Sequence, residues 1–495
     1  MSNTDAINKI KMKETMKTYL KLPINNDSEA KDVLITSLSG AYYGFNAKID
    51  ATNVKYYVYI DITYLGDIKS ISLSENEYTI VDSKPKELYH ETLRPKIHYS
   101  VSTGWNNDPN GMVYYNGIYH MFYQHNPAGN TWGNMCWGHA ISKDMIHYQE
   151  QDIALYPDNL GAMYSGSAIV DYDNVTGFKE NEYDPIILFY TAASSRFSQC
   201  VAYSTDNGKT FRKYDRNPII PYISFWNRDP KVIKCEELDC YILALFLQDD
   251  NNNYMLFKSN NLLDWEPLQK IAIKDDYECP DIYKIKVEET NDYVYVLQGA
   301  CGNYLIGKIE DGKFVFSETP QRCLYGNYID YCGQSFSNIK DRIIQVYWQK
   351  SIIYDNMPWG SNLSLPQEIT MHQDDKGHLE LYTYIAKEFD NLEKEIYQGV
   401  KPQYDCGYDI DADIQIDNDS IVRCFGIEVP FPDKYNTGKI NVRIIVDTIG
   451  LTIYINKGIR YTSIAKLPDY DKPAIEIEKG KIINKKIFII KSFYD

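Results

Sequence analysis

The sequence predicts an all-β protein: a five-bladed β-propeller followed by a β-sandwich, with an additional small β unit at the N-terminus. Three observations predict it. The 495 residues include 45 tyrosines, 17 phenylalanines and 7 tryptophans, and aromatic residues favour strands. Hairpin signals recur: Asn116-Gly117 separates two apolar strands, and Asp206-Asn207-Gly208 and Asp311-Gly312 repeat the theme. Such pairs supply the positive φ that a tight hairpin needs. The third observation is an internal repeat.

The repeat is a short apolar strand, a polar turn, then an aromatic residue opening the next strand. Its copies start at Gly138 and run to Tyr148, at Cys200 to Phe211, at Tyr254 to Trp265 and, more weakly, at Tyr304 to Phe314. Ser142, Ser204 and Ser259 mark the first three copies, 62 and 55 residues apart, and Tyr254 precedes Tyr304 by 50. Propeller blades of four strands need roughly 40–50 residues and lengthen with insertions. The stretch between about Tyr99 and Glu388 therefore has room for about five.

The flanks differ from this middle. Residues 31–87 alternate apolar and polar, as in 56–64, and read as a small β unit left at Pro85 and Pro95. Residues 5–20 read as a short amphipathic helix. Strands resume after Asp390, including 440–446 and 451–455, and read as a sandwich. The expected organisation is 1–95 for the helix and small β unit, 96–388 for the propeller, and 389–495 for the sandwich.

Composition excludes several classes. The balance of 51 basic and 68 acidic residues gives a net charge of −17, which argues against nucleic acid or an anionic membrane as partner. A neutral substrate is compatible with it. No apolar run approaches the ~20 residues of a membrane span, and lysines interrupt the N-terminus where a signal peptide would need an apolar stretch. The 10 cysteines are dispersed without a CxxC pair, as expected for reduced, buried thiols of a cytoplasmic protein. The two flanking β regions are the candidate surfaces for self-association.

Three places share one local grammar: an acid, a proline within two positions, then a strand. They are Asp108-Pro109, Asp229-Pro230 and Glu278-Cys279-Pro280. In a propeller, equivalent blade positions are related by rotation about the axis, so these acids should converge on the central funnel. Close carboxylates raise one another's pKa. One protonated and one ionised carboxyl group is the apparatus of glycoside hydrolysis. Arg228 is expected to keep Asp229 ionised, and apolar and acidic neighbours to keep Glu278 protonated. Trp105, Gln124, Trp132, Trp137, Tyr164, Ser165, Trp348 and Trp359 gather around the same points. Tryptophan stacks on sugar C–H faces, and amide and hydroxyl groups bind sugar hydroxyls. His125 and His139 read as core histidines, so neither a metal nor an organic cofactor is expected.

Six ordered blocks resemble glycoside hydrolase family 32, which contains invertases, inulinases and levanases. They are Trp105-Asn-Asn-Asp-Pro-Asn-Gly111, Phe122-Tyr-Gln-His-Asn-Pro127, Trp137-Gly-His-Ala140, Tyr164-Ser-Gly-Ser167, Arg228-Asp-Pro230 and Glu278-Cys-Pro280. The resemblance implies a five-bladed propeller joined to a β-sandwich, and a retaining reaction through a covalent fructosyl-enzyme. By position, Asp108 is similar to the nucleophile, Glu278 to the acid/base and Asp229 to the transition-state stabiliser. Asn107, Gln124, Trp132, Tyr164, Ser165 and Arg228 match positions that hold the terminal fructose, and Trp348 joins them as an expected binding residue. Asn106, Cys136 and Gln367 depart from the family pattern, and are expected beside the fructose site or towards the leaving group. An exo-acting β-fructosidase acting on sucrose or short fructans is the leading expectation. A fructosyltransferase and a catalytically silent fructan-binding propeller are the alternatives.

Overall fold

The computed structural model describes residues 17–248, 253–350, 356–397 and 405–494. Its centre is a ring of five antiparallel sheets. Their innermost strands are Gly104–Tyr115, Ala162–Val170, Arg228–Cys235, Asp281–Lys286 and Asp330–Ser335. These pack side by side in chain order, and the fifth returns to the first. We number the sheets blades I to V.

The sequence repeat is the third strand of successive blades: Cys136–Ser142, Ser198–Ser204, Tyr254–Ser259 and Asn303–Glu310. Its serines cap the turn to the fourth strand. Ser142 Oγ donates to Asp144 Oδ1 (2.9 Å), Ser204 Oγ to Asp206 Oδ1 (2.7 Å) and Ser259 Oγ to Asn261 Oδ1 (3.2 Å). A hydroxyl and a short acid or amide can satisfy a tight turn locally, so the repeat is written in turn chemistry. Ring closure was not foreseen. Trp359–Gly360, late in the chain, pairs in parallel with Gly104 and Trp105 at the edge of blade I.

Beyond blade V a 3₁₀ turn, Lys387–Asn391, leads to a six-stranded sheet and a three-stranded sheet. Their shared core includes Tyr408, Ile410, Val442, Ile444 and Ile453. Asp447 ties this sandwich to the start of the propeller. It accepts the backbone N–H groups of Lys96, Ile97 and His98 and bonds His98 Nδ1 at 2.7 Å.

The N-terminal unit is two three-stranded sheets around one core that includes Leu20, Ile24, Val33, Ile35, Val58 and Ile60. Most of the helix expected over 5–20 lies outside the described residues. Its end is corrected: Tyr19 and Leu20 begin the strand Tyr19–Ile24, whose Leu20 pairs with Ile60 across the sheet. The unit packs on blade I. Tyr56 Oη donates to Asn130 Oδ1 (2.8 Å), and Asn46 exchanges two hydrogen bonds with Asn134 (2.9 and 2.8 Å). Tyr56→Phe removes one buried donor from this seam. It is expected to lower stability by about 1–2 kcal/mol, read as a shift in the denaturant midpoint. An unchanged midpoint would mean that the seam does not depend on it.

Two of the departures from the family pattern face domain seams rather than the site. The Cys136 thiol lies 3.6 Å from Tyr43 Oη of the N-terminal unit. Gln367 Oε1 accepts Tyr454 Oη of the sandwich at 2.8 Å. A neighbouring domain, not a substrate, surrounds these side chains. The third, Asn106, is fully buried with both side-chain polar atoms unpartnered.

Candidate active site

The three acids stand at the entry of three innermost strands. Asp108 lies in Gly104–Tyr115, Asp229 is the second residue of Arg228–Cys235, and Glu278 precedes Asp281–Lys286 by three residues. The ladder register shifts between Asn106 and Pro109 and again between Arg228 and Lys231. Proline lacks a donor, so strand pairing breaks there into a bulge, and bulges re-aim side chains. Asp229, Glu278 and Cys279 all have positive φ (66°, 57° and 35°). Non-glycine residues in that region store strain of about 1–3 kcal/mol each, and such strain clusters at active sites.

Side chains from blades I to V meet at this point. Asp108 Oδ2 accepts Ser165 Oγ of blade II at 2.8 Å. The Cys279 thiol lies 3.5 Å from both Asp108 Oδ2 and Asp229 Oδ2. Asp229 Oδ2 also accepts the Cys279 backbone N–H (3.1 Å), and the Asp229 N–H donates to Thr191 Oγ1 (2.9 Å). Glu278 Oε2 accepts Tyr331 Oη of blade V (3.0 Å), and Glu278 Oε1 pairs with Arg228 Nη2 (2.6 Å). Ser165 is aimed by a register shift between Tyr164 and Gly166. A Cβ on Gly166 would collide with the Phe189 carbonyl oxygen, so no other residue fits behind that serine.

Two electrostatic expectations are corrected. Arg228 is shared between Asp229 and Glu278. Its close partner is Glu278, while Asp229 Oδ2 is 3.5 Å from Nε. Burial pushes the Asp229 carboxyl up to about 7; Arg228 offsets part of this, and Glu278 and Asp108 add to it. Nor do apolar neighbours surround Glu278; an arginine and a tyrosine hydroxyl do. Asp108 is raised too, by burial first and by Glu278 second, against the hydrogen bonds of Ser165, Asn107 and Cys279.

Because the Asp229 value lies above its unfolded 3.8, proton binding favours the folded state. That contribution is complete below pH about 4 and is lost as pH rises through about 7. Asp229→Asn removes the charge and keeps an acceptor for Cys279. The variant is expected to be inactive, yet more stable than the parent at pH ~8 by up to a few kcal/mol, with little difference at pH ~4. Parallel urea-unfolding curves at both pH values read this. An equal difference at both would show that burial of the charge is not what the site tolerates.

The expected binding residues divide. Asn107 is buried and accepts Trp105 Nε1 at 2.8 Å. Gln124 is buried, with Nε2 donating to the Met163 carbonyl (2.9 Å). Trp348 lies edge-on to Trp105 and to Tyr331 (5.8 and 6.0 Å between centroids). Tyr164 meets Trp132 edge-on at 6.2 Å, and Trp132 is 58% exposed at the rim. His125 and His139 are core residues: His125 Nδ1 bonds the Trp105 carbonyl (2.8 Å) and His139 Nε2 bonds His120 (3.1 Å). The sequence reading assigned no role to Tyr331 or Cys279. Tyr331 is the second residue of the fifth innermost strand, as Asp229 is of the third, and that equivalence was the available signal.

Asp108, Cys279 and Cys332 have potential ligand atoms within 4.8 Å of one another. Burial pushes both thiols well above their ordinary value. The Cys279 thiol is thereby placed as a donor to the Asp108 and Asp229 carboxylates. No disulfide joins the ten cysteines, all of which lie among the described residues, and nine of them are buried. Among the described residues no helix is long and apolar enough to cross a membrane.

Known proteins share this fold and stretches of this sequence. A levanase of Bacillus subtilis is 29% identical over 474 residues, covering 80% of this chain and 69% of the levanase. An invertase of Schizosaccharomyces pombe is 39% identical over 307 residues, covering 57% of this chain and 52% of the invertase, so the chain spans about half that relative's length. The crystal structure of an exo-inulinase from Aspergillus awamori shares the fold with a TM-score of 0.71 at 20% identity, covering 82% of this chain and 99% of the other. A β-fructofuranosidase from Schwanniomyces occidentalis complexed with fructosyl-erythritol gives 0.67 at 22%, covering 82% and 98%. The family model described as the N-terminal domain of glycosyl hydrolases family 32 matches residues 98–383, the stretch that supplies all three acids. The chain belongs to glycoside hydrolase family 32.

Proposed function

We propose that the protein removes terminal non-reducing β-fructofuranosyl units from sucrose or short fructans, with retention, through a covalent fructosyl-enzyme. The observation that carries this is the division of labour among three acids around one thiol. Asp108 is aligned by Ser165 and Cys279 at the funnel wall. Asp229 is held deepest, by a backbone amide. Glu278 is more open than Asp229, its side chain 28% exposed against 6%. A group that exchanges protons with leaving group and water needs that openness; a nucleophile needs alignment.

In the first step an Asp108 oxygen bonds the anomeric carbon while its bond to the leaving oxygen breaks. Glu278 gives its proton to that oxygen. In the second step Glu278 takes a proton from water, the water oxygen bonds the anomeric carbon, and Asp108 leaves. Asp229 accepts hydrogen bonds from fructose hydroxyls and stabilises the oxocarbenium-like centre. Arg228 orients Glu278, and Trp132, Tyr164 and Trp348 flank the sugar. Two carboxyl groups supply both nucleophile and proton, so the reading uses no metal. Ten cysteines without a disulfide among them suit a reducing compartment, and we place the reaction in the cytoplasm.

The test is a time course of products from sucrose, 1-kestose, inulin and levan. Free fructose with stepwise shortening of kestose is the expected result. Longer oligosaccharides would instead indicate transfer to a sugar acceptor. Binding without any release of fructose would return the silent-binder alternative.

A further inference from the structure

The aromatic contacts at the funnel mouth do not stop at the residues assigned above. Trp132 meets Tyr164 at 6.2 Å, Tyr164 meets Phe197 at 5.4 Å, Phe197 meets Trp226 at 6.1 Å, and Trp226 meets Phe225 at 5.4 Å. Five rings thus form one unbroken arc from blade I across blade II to the loop that enters blade III. Phe197, Phe225 and Trp226 lie outside the six signature blocks.

Two inner rings of the arc, Tyr164 and Trp226, lead to the acids. Tyr164 precedes the serine that donates to Asp108. Further along, Arg228 donates to the Trp226 carbonyl (3.0 Å), its guanidinium lies 5.4 Å from the Trp226 ring, and it pairs with Glu278. The arc also faces water: Trp132 is 58%, Phe225 62% and Trp226 44% exposed. Single exposed apolar residues are ordinary, but contiguous ones beside a site indicate binding.

The loop that presents the rings is built rather than loose. Trp226 has φ of +69°, a cost that a bulky residue bears only where its surroundings impose it. Asn227 Oδ1 accepts the N–H groups of Ile223 and Ser224 (3.3 and 3.4 Å), and the Asn227 carbonyl accepts Gln199 Nε2 (3.0 Å). Water-facing rings on a rigid loop suit a ligand with alternating apolar faces and hydroxyl edges. Sugars have this form, and rings held in place beforehand reduce the ordering cost of binding them.

We propose that Phe197, Trp226 and Phe225 extend Trp132 and Tyr164 into a stacking platform for the sugar units of a β-fructan chain beyond the one being cleaved. The proposal rests on the fructosidase reading and adds a preference to it: chains longer than sucrose are held along the arc.

The test compares kcat/KM for fructosylnystose with that for sucrose in the parent, Phe225→Ala, Trp226→Ala and Trp226→Phe proteins. Phe225 touches none of the acids, and its exposure makes misfolding of that variant a minor concern. The ratio is expected to fall about tenfold for each alanine variant, equivalent to about 1.4 kcal/mol. The loss should appear in KM for fructosylnystose, and Trp226→Phe should recover most of it. An unchanged ratio in Phe225→Ala and Trp226→Ala overturns the proposal. If sedimentation then shows these variants dissociating from an oligomer, the rings are a subunit contact instead. Calorimetric binding of fructosylnystose in an Asp108→Asn background separates the two readings. Weaker binding on Phe225→Ala upholds the platform even if the parent releases no fructose, a result that would remove only the proposed reaction.

Discussion

Asp108→Asn is expected to reduce kcat on sucrose by at least about 10⁴-fold, the order seen when a covalent nucleophile is deleted from an intact site. The substitution keeps size and shape. Ser165 Oγ can still donate to the amide oxygen, as it donates to Oδ2 now, so the fold and the funnel wall should remain. An amide oxygen does not form the ester that a carboxylate forms, so the first step lacks its acceptor for the fructosyl group. Removing one of three neighbouring negative charges also relieves Asp229, to whose raised pKa Asp108 contributes. The variant should therefore be at least as stable as the parent at neutral pH while inactive. Steady-state kinetics with an unfolding curve on the same preparation read both. Turnover within tenfold of the parent would remove Asp108 from the nucleophile's role, and lost activity with lost stability would point to a structural role instead.

Lys231→Met is expected to destabilise the propeller by about 3–5 kcal/mol, the cost of leaving a buried charge without its partner. Lys231 and Asp281 are both buried, on the innermost strands of blades III and IV, and pair at 2.8 Å. Blade V completes the cluster. Lys231 Nζ donates to the Ser335 carbonyl (2.7 Å) and hydroxyl (2.9 Å), while Asp281 accepts the Ser335 N–H and Oγ (both 2.9 Å) and Gln345 Nε2 (2.8 Å). Contacts between blades III, IV and V are the thinner part of the ring, and this cluster joins all three through charge-assisted hydrogen bonds. Methionine preserves the stem's volume and isolates the loss of charge. The urea midpoint reads the effect. Double replacement by Lys231→Met with Asp281→Asn should recover part of it, because no unpaired charge remains; a double variant as unstable as the sum of the singles would mean that the pair is not coupled.

Much of the fold was legible because propeller blades repeat. The same turn chemistry recurs where the third strand hands over to the fourth in blades I to III, so Ser142, Ser204 and Ser259 carried the periodicity in plain view. The acids were legible for a related reason, since proline beside an acid at a strand entry is a local device that recurs in blades I, III and IV. The parallel pairing of Trp359–Gly360 with Gly104 and Trp105 was not legible, because it joins residues far apart in sequence with no local signature. The seam positions Cys136 and Gln367 were misplaced for the same reason. Their odd identity shows in the chain, but the neighbour that explains it belongs to another domain.

Residue identity and spacing alone therefore determined the strand content, the repeat, the placing of three acids at equivalent strand entries, and the family. Each depends on a backbone preference or a local hydrogen bond that acts within a few residues. The tertiary structure alone decided the electrostatics and the company of each group. It shared Arg228 between Glu278 and the adjacent Asp229, raised the Asp229 carboxyl by burial, set Tyr331 on the acid, and strung five aromatic rings from three blades into one arc. Charge interactions and desolvation depend on distance through space and on exclusion of water. Adjacency in the chain reports neither.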